Sequence, residues 1–274
     1  MEYLLLALVG LFSGIVGALV GLGGGVILVP GTLFLGGTLG LIPGITPQNV
    51  VGLSVIMMIF TGLASTLTYM KAKTIDYRSG LIFFAGSIPG TILGAWVNKG
   101  LDLPSFNLYF GILLIIISTL LMVRKYLKPV EWFVKNGTTK TFTDAQGQHY
   151  VYGYPLWFAL FITFGVGFAS GLFGIGGGSI IVPVMILLFL FPPHVAVGTS
   201  MFMVFLSALI NSASHISLGN VPWLYTIPVI PAAFIGAKIG AALNQRIKSE
   251  TLVFALRIIL LLLGIRSIVA GLMG

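Results

Sequence analysis

Long apolar stretches separated by short polar loops fill most of this chain. Most approach the roughly 20 residues that a helix needs to cross the hydrocarbon core of a bilayer. They lack the strict alternation of outer-membrane strands, and only helices satisfy their own backbone in lipid, so helices are predicted. Ten segments result, at residues 3–20, 25–42, 50–70, 79–97, 106–123, 155–173, 178–191, 195–218, 222–243 and 251–272.

Composition places most of the chain in lipid. Of its 274 residues 57% are hydrophobic and 7% are charged, against about 25% charged in soluble domains. The net charge of +8 lies almost wholly in loops, which indicates membrane topology and not a nucleic-acid surface. The absence of cysteine excludes disulfides and thiolate metal sites. The opening MEYLLLAL has no basic residue, so the first segment is expected to be retained.

One ten-residue motif occurs twice, as GLGGGVILVP from residue 21 and as GIGGGSIIVP from residue 174. Further matches follow at an offset of 146 residues, which predicts an internal duplication with halves at 1–127 and 154–274. The polar linker 128–153 contains an alternating stretch around a glycine, which predicts a β-hairpin within 139–153. The matched pairs include Gly52 and Gly198, Ser54 and Ser200, Ser65 and Asn211, Gly90 and Gly236, and Asn98 and Asn244.

Loop charges orient the two halves. If each glycine motif lies at the tip of a helical hairpin followed by three transmembrane helices, the halves are inverted repeats. The basic loops, the linker among them, then share one face, which is cytoplasmic by the positive-inside rule, with both termini outside. The alternative treats 3–42 as one broken crossing and gives two parallel halves of four segments each.

The glycines predict a break in each helix, because every glycine in a helix interior costs about 1 kcal/mol relative to alanine. Backbone N–H groups at the restarted helix lie at the positive end of its dipole, which suits an anion. Close helix packing is the alternative explanation, whereas the spacing fits neither nucleotide-binding glycine motif. The candidate groups are Gly23, Gly24, Gly25 and Val26 in the first copy and Gly176, Gly177, Gly178 and Ser179 in the second.

The doubled glycine motif, each copy followed by VGLS or VGTS, resembles the TauE/SafE family of membrane transporters, often called sulfite exporters. The resemblance covers nearly the whole chain. It implies a multi-pass protein of the bacterial inner membrane that moves sulfite, thiosulfate, sulfide or a small organosulfonate such as sulfoacetate. It does not fix which of these is carried.

Polar side chains inside the predicted helices are candidates to contact a substrate oxygen. Most serine and threonine hydroxyls bond back to their own helix, but the amide of Asn211 cannot be satisfied in that way. The residues selected as donors are Ser54, Ser65, Thr199, Ser200 and Asn211.

Ion coupling has three candidate routes, since no carboxylate falls inside a predicted segment. They are His215, a proton carried by the substrate, and a sodium ion on backbone carbonyls. As a lone histidine near a helix end, His215 is expected at the membrane interface with its ring satisfied. Lys238, Arg257 and Arg266 are expected to snorkel toward the interfaces.

The sequence thus predicts an all-α polytopic membrane protein that acts as a secondary transporter of a small sulfur-containing anion. A passive channel or permease for another small organic anion is the alternative. An enzyme is not expected, because membrane carboxylates and cysteine are absent and the three histidines are scattered. The expected partners are the anion and membrane lipid, without nucleic acid, metal or cofactor, and a homodimer is left open.

Overall fold

A computed structural model describes residues 2–123, 137–143, 149–247 and 249–273. Within these ranges the chain forms ten α-helices, one short π-helical turn and two strands. The first group is α1 (Glu2–Val20), α2 (Gly25–Leu33), the π-turn (Phe34–Thr38), α3 (Pro47–Lys71), α4 (Tyr77–Asn98) and α5 (Leu103–Val123). The strands β1 (Thr138–Thr143) and β2 (His149–Tyr154) precede α6 (Leu156–Phe173), α7 (Gly178–Leu187), α8 (Pro193–Ser217), α9 (Trp223–Asn244) and α10 (Ser249–Met273).

The predicted all-helical membrane class is confirmed. Six of the described helices are long and apolar enough to cross a membrane, namely α1, α3, α4, α6, α8 and α9. The predicted helix at 25–42 is too long. Its α-helical part ends at Leu33 and a π-turn follows, in which the N–H of Leu39 bonds to the carbonyl of Phe34.

Each glycine motif turns the chain back on itself. Gly24 lies against the carbonyl of Ser13, and Gly31 lies against Val9, so α2 runs antiparallel to α1. In the second copy Gly177 lies against Val166 and Ser170 in the same way. Residues 3–42 are therefore a hairpin and not a single broken crossing.

The first helix of each half packs against a helix of the other half. Helix α1 packs along α9, and α6 packs along α4. A Cβ on Gly14 would overlap the backbone of Ala233, and one on Gly90 would overlap that of Phe164. Because these contacts join backbone to backbone, only glycine permits helices to approach so closely.

The centre consists of α3 and α8, with α5 and α10 paired beside them. Gly52 of α3 meets Asn220 just after α8, whereas Gly62 meets Phe205, so α3 and α8 run antiparallel. The same holds for α5 and α10, since Gly111 lies against Gly264 and the hydroxyl of Ser118 bonds to the carbonyl of Arg257.

The molecule thus has two polar ends. We call the end with residues 72–76, 138–154 and 188–192 the linker face, and the end with residues 43–46, 99–102 and 218–222 the terminal face. On the linker face lie the described cations Lys71, Lys73, Arg78, Lys140 and Arg246.

A two-stranded antiparallel sheet lies on the linker face, in the stretch where alternation predicts a hairpin. Its register pairs Thr138 with Tyr154 and Thr143 with His149, while 144–148 lie outside the described residues. β2 is bound to the end of α7, because the N–H of Gly153 donates to the carbonyl of Phe189. Its aromatic rings pack against α4 and the α7–α8 connection, in a cluster of Tyr152, Tyr154, Phe83, Phe189 and Phe191.

Candidate functional site

The two glycine breaks share one backbone conformation. Three glycines in each copy have φ between 66° and 94°, which an L side chain rarely adopts. They occupy equivalent places 153 residues apart, as Gly21, Gly23 and Gly24 and as Gly174, Gly176 and Gly177. The repeated glycines are thus required by the turn itself.

The breaks interlock near the middle of the protein. Gly25 at the start of α2 faces the carbonyl of Gly174, and Gly178 at the start of α7 faces that of Gly21, so closely that neither site has room for a Cβ. A serine holds each contact, since the Ser54 hydroxyl donates to Gly174 at 2.6 Å and the Ser200 hydroxyl donates to Gly21 at 2.7 Å.

Helices α2 and α7 begin at these breaks with N–H groups that are not used. Among the described residues the N–H groups of Gly25, Val26 and Gly178 make no hydrogen bond. Gly25, Val26 and Gly178 are buried, and the side chain of Ser179 lies outside the described part. A buried unpaired donor is costly, so two adjacent helix N-termini offer N–H groups to an anion.

Met58 and Val204 separate the two tips, a feature that sequence reasoning missed. Both side chains are fully buried, and each lies against Gly23 and Gly176. They are 146 residues apart, so each is the other's counterpart in the repeat, and each follows by four residues the serine that holds a tip. That spacing on α3 and α8 is the signal that could have identified them.

Other backbone groups of the first hairpin are held by side chains of α3. The hydroxyl of Thr61 donates to the carbonyl of Gly23 at 2.8 Å, and that of Tyr69 donates to Ala18 at 2.7 Å. Tyr69 was not singled out from the sequence, because an aromatic residue near a helix end is typical of any membrane protein.

The remaining selected side chains differ in their bonding. The Ser65 hydroxyl is buried and has no partner among the described residues. The Asn211 amide donates to the carbonyl of Ser170 at 3.2 Å, while its side-chain oxygen is unpaired there. Ser65 and Asn211 are one helical turn beyond Thr61 and Ser207.

Thr199 does not contact a tip, although it adjoins Ser200. Its hydroxyl oxygen accepts the N–H of Asp76 at 2.9 Å, in the connection from α3 to α4. The structure therefore brings Ser54 and Ser200 to the breaks and places Thr199 toward the linker face.

His215 is buried within the protein, near the end of α8 that lies at the terminal face. Its Nε2 lies 3.3 Å from the carbonyl of Gly171, and its Nδ1 lies 3.1 Å from the amide nitrogen of Asn220. Both ring nitrogens are engaged because the terminal-face end of α6 packs against α8. His215 thus supports the helix that carries the second break.

The linker face has a cavity of about 620 Å³ beside the β-hairpin, lined by Lys73, Arg78, Lys140, Asp76 and Tyr152, among others. Lys140 Nζ lies 2.6 and 2.7 Å from the two carboxylate oxygens of Asp76. Burial opposes ionisation of Asp76, but hydrogen bonds from Lys140 and Ser79 outweigh it and lower the carboxyl pKa. Burial raises the pKa of Tyr154 to about 12, so that phenol stays neutral.

The described residues contain no cluster of histidine or acidic side chains that could hold a metal ion. The chemistry available at the breaks is hydrogen bonding from backbone N–H groups and hydroxyls.

Comparisons with known proteins agree with this architecture. The family model described as Sulfite exporter TauE/SafE matches residues 6–267. The chain is 48% identical over 271 residues to the probable membrane transporter protein YunE of Bacillus subtilis, covering 99% of each chain. It is 27% identical to the probable membrane transporter protein MJ0441 of Methanocaldococcus jannaschii, covering 95% of this chain and 93% of that one. No solved structure gives a significant match.

Proposed function

The chain belongs to the TauE/SafE family of membrane transporters, and from that premise we propose that it carries a small sulfur-containing anion bound between its two glycine breaks. It is a multi-pass membrane transporter and not an enzyme. Sulfite, thiosulfate and small organosulfonates are the proposed substrates.

The observation that carries the proposal is the pair of helix N-termini with unpaired N–H groups. Those of α2 and α7 meet from opposite halves, so their positive dipole ends act on the same region. The Ser65 hydroxyl adds a buried donor. No carboxylate lies in the described helices near the breaks, which favours anions over cations.

We propose further that the halves 1–127 and 154–274 are inverted repeats. Equivalent helices α3 and α8 run antiparallel, as do α5 and α10, which is the relation that a two-fold axis in the membrane plane produces. Alternating access would then come from moving one half against the other, which breaks and remakes the contacts of Gly25 and Gly178.

The linker-face cavity suits the role of a vestibule. Lys73 and Arg78 are exposed beside it, and one sign of charge in a cleft raises the local concentration of the opposite ion. On the predicted cytoplasmic side, this cavity would collect anions before they reach the breaks.

The test is thermal stability of the purified protein with sulfite, thiosulfate, sulfoacetate, sulfate and lactate. A ligand that binds the native state raises its apparent stability with concentration, so one sulfur anion should stabilise it. Gly177→Ala should abolish that shift, because Gly177 has φ 66° and a side chain there strains the backbone of the break. Gly219→Ala is the matched control, since Gly219 has φ 73° but no neighbour within 4 Å of its Cβ position.

Stabilisation that survives in Gly177→Ala would reject the breaks as the site, and a lack of response to every anion would reject the substrate class. Saturable counterflow in vesicles separates a carrier from the channel alternative, for which flux grows linearly with concentration.

A further inference from the structure

A second cavity lies away from the glycine breaks, between the end of α2, the first turns of α5 and the last turns of α10. Its volume is about 590 Å³. One face of α10 forms a wall, because residues 266, 269, 270 and 273 recur at helical spacing. The lining of the whole cavity is mostly apolar and includes Leu33, Leu103, Val269 and Met273.

Arg266 brings a positive charge to this apolar cavity. Its Nη1 donates to the carbonyl of Pro30 at 3.0 Å, and its guanidinium lies 4.1 Å from the centroid of the Phe34 ring. Among the described residues no carboxylate pairs with it, and only one of its five N–H donors has an acceptor. A half-buried guanidinium without a counter-charge leaves much of its binding capacity unused.

Asn107 of α5 is a second polar group that lines the cavity. The residue is 9% exposed, and its side chain makes no hydrogen bond among the described residues. An amide and a guanidinium together donate to the several oxygens of a sulfonate, carboxylate or phosphate.

Neither polar group is required by the repeated fold. At the offset of 146 residues Arg266 corresponds to Leu120, and Asn107 corresponds to Val253. At these two positions the other half has apolar residues. Arg266 and Asn107 therefore have no polar counterparts at the offset of 146 residues.

The cavity also has a direction. Arg266 is seven residues before Met273, which places it about 10 Å along the helix axis from that end, and Met273 is 83% exposed. A molecule with its anionic head at Arg266 therefore has about 10 Å of mostly apolar lining for its chain.

We propose that this cavity binds an amphiphilic oxyanion, whose head is held by Arg266 and Asn107 and whose short apolar chain contacts Leu33, Leu103 and Met273. The oxyanion is either a free organic anion that arrives at the terminal face or the phosphate of a membrane lipid. This site is separate from the glycine breaks and does not depend on what they bind.

Butane-1-sulfonate and inorganic sulfate are the soluble probes, and stability of the purified protein is the readout. Butane-1-sulfonate should raise the unfolding temperature with concentration, whereas sulfate at equal concentration should not, because it lacks the apolar part. Arg266→Gln should weaken the binding about tenfold or more, as expected for a lost hydrogen bond to a charged group. Ala270→Phe keeps the arginine but fills the cavity and should also remove binding.

Arg257→Gln is the matched control, an arginine of the same helix outside this cavity. It should leave butane-1-sulfonate binding unchanged. Because small organosulfonates are also the proposed substrates of the breaks, both probes are measured in a Gly177→Ala background, in which the breaks no longer bind them. If Arg266→Gln fails to fold, Ala270→Phe still decides the question.

Phosphatidylglycerol tests the lipid source by native mass spectrometry. Retention of this lipid by the wild type, together with its loss in Arg266→Gln and Ala270→Phe, would identify a lipid phosphate as the occupant. The proposal is overturned if neither probe binds, if sulfate binds as well as butane-1-sulfonate, or if both variants bind as the wild type does.

Discussion

The two glycine breaks have the same backbone but different surroundings. At the first, Gly17 of α1 packs so closely on Gly24 that a Cβ would overlap its nitrogen, and a Cβ on Gly24 would lie 2.8 Å from the carbonyl of Ser13. At the second, Ser170 replaces Gly17, and a Cβ on Gly177 would meet only side chains, at 3.0 Å or more. Backbone atoms therefore contact backbone atoms at the first break, whereas side chains surround Gly177 at the second.

The two breaks also differ in the side-chain hydrogen bonds near them. Ser170 at the second break accepts from Asn211, and His215 bonds to Gly171 one residue further along α6. At the first break the counterpart of Asn211 is Ser65, whose hydroxyl is free among the described residues. Side chains can change rotamer while backbone contacts cannot, so the second break has the greater freedom to rearrange.

The largest expected effect contrasts the equivalent alanine variants. Gly24→Ala combines the strain of a positive φ with overlap on the Ser13 carbonyl, and should destabilise the protein by about 3 kcal/mol or more. Gly177→Ala bears mainly the φ strain and should cost about 1–2 kcal/mol. Denaturant unfolding in one detergent measures both.

Gly219→Ala measures the cost of a positive φ without any steric overlap, since Gly219 has a positive φ and open space around it. Equal losses in Gly24→Ala and Gly177→Ala would mean that the tighter packing of the first break has no energetic weight.

A smaller difference in stability is expected between the alanine variants of Asn211 and Ser65. Asn211→Ala removes a buried hydrogen bond and should cost about 1–2 kcal/mol, whereas Ser65→Ala removes an unpaired hydroxyl and should be close to neutral. If both bind the substrate, each variant raises the concentration needed for half-maximal transport. Asn211→Ala with wild-type transport would remove Asn211 from the site, and Ser65→Ala tests its counterpart in the same assay.

The smallest effect concerns the linker face, where the β-hairpin holds the end of α7 and so the helix of the second break. Lys140→Met should loosen the hairpin by about 1 kcal/mol, because Asp76 loses a charged hydrogen bond. Hydrogen exchange across β2 is the measurement, and α2, which has no such contact with the hairpin, is the internal control.

The same ion pair sets a pH dependence. Because the folded pKa of Asp76 lies below its ordinary value of 3.8, its stabilisation is complete above that value and is lost as the pH falls through the folded pKa. In Lys140→Met the hairpin should therefore loosen at a higher pH than in the wild type. Identical acid profiles for the two proteins would mean that the pair contributes nothing to docking.

Some of the site was predictable from local signals. Glycine clusters with a following proline identified both breaks, because positive φ and close approach leave few alternatives to glycine. Thr199 shows the limit of such reasoning: it follows the same pattern as Ser200, but successive residues of a helix point about 100° apart, so only one of them contacts a tip. Met58 and Val204 carry no polar signal, and their place between the tips depends on how α3 and α8 cross.

By itself the sequence determined that this is a helical membrane protein with two glycine breaks, since apolar length, glycine clusters and repeat spacing are local properties. Only the tertiary structure decided that the first helix of each half packs against the other half. It also decided that each break lies against a backbone carbonyl of the other break. Only in the folded protein is His215 buried, and only there do Arg266 and Asn107 line one cavity. These contacts join residues about 40 to 240 positions apart, and packing, which no local pattern encodes, selects such partners.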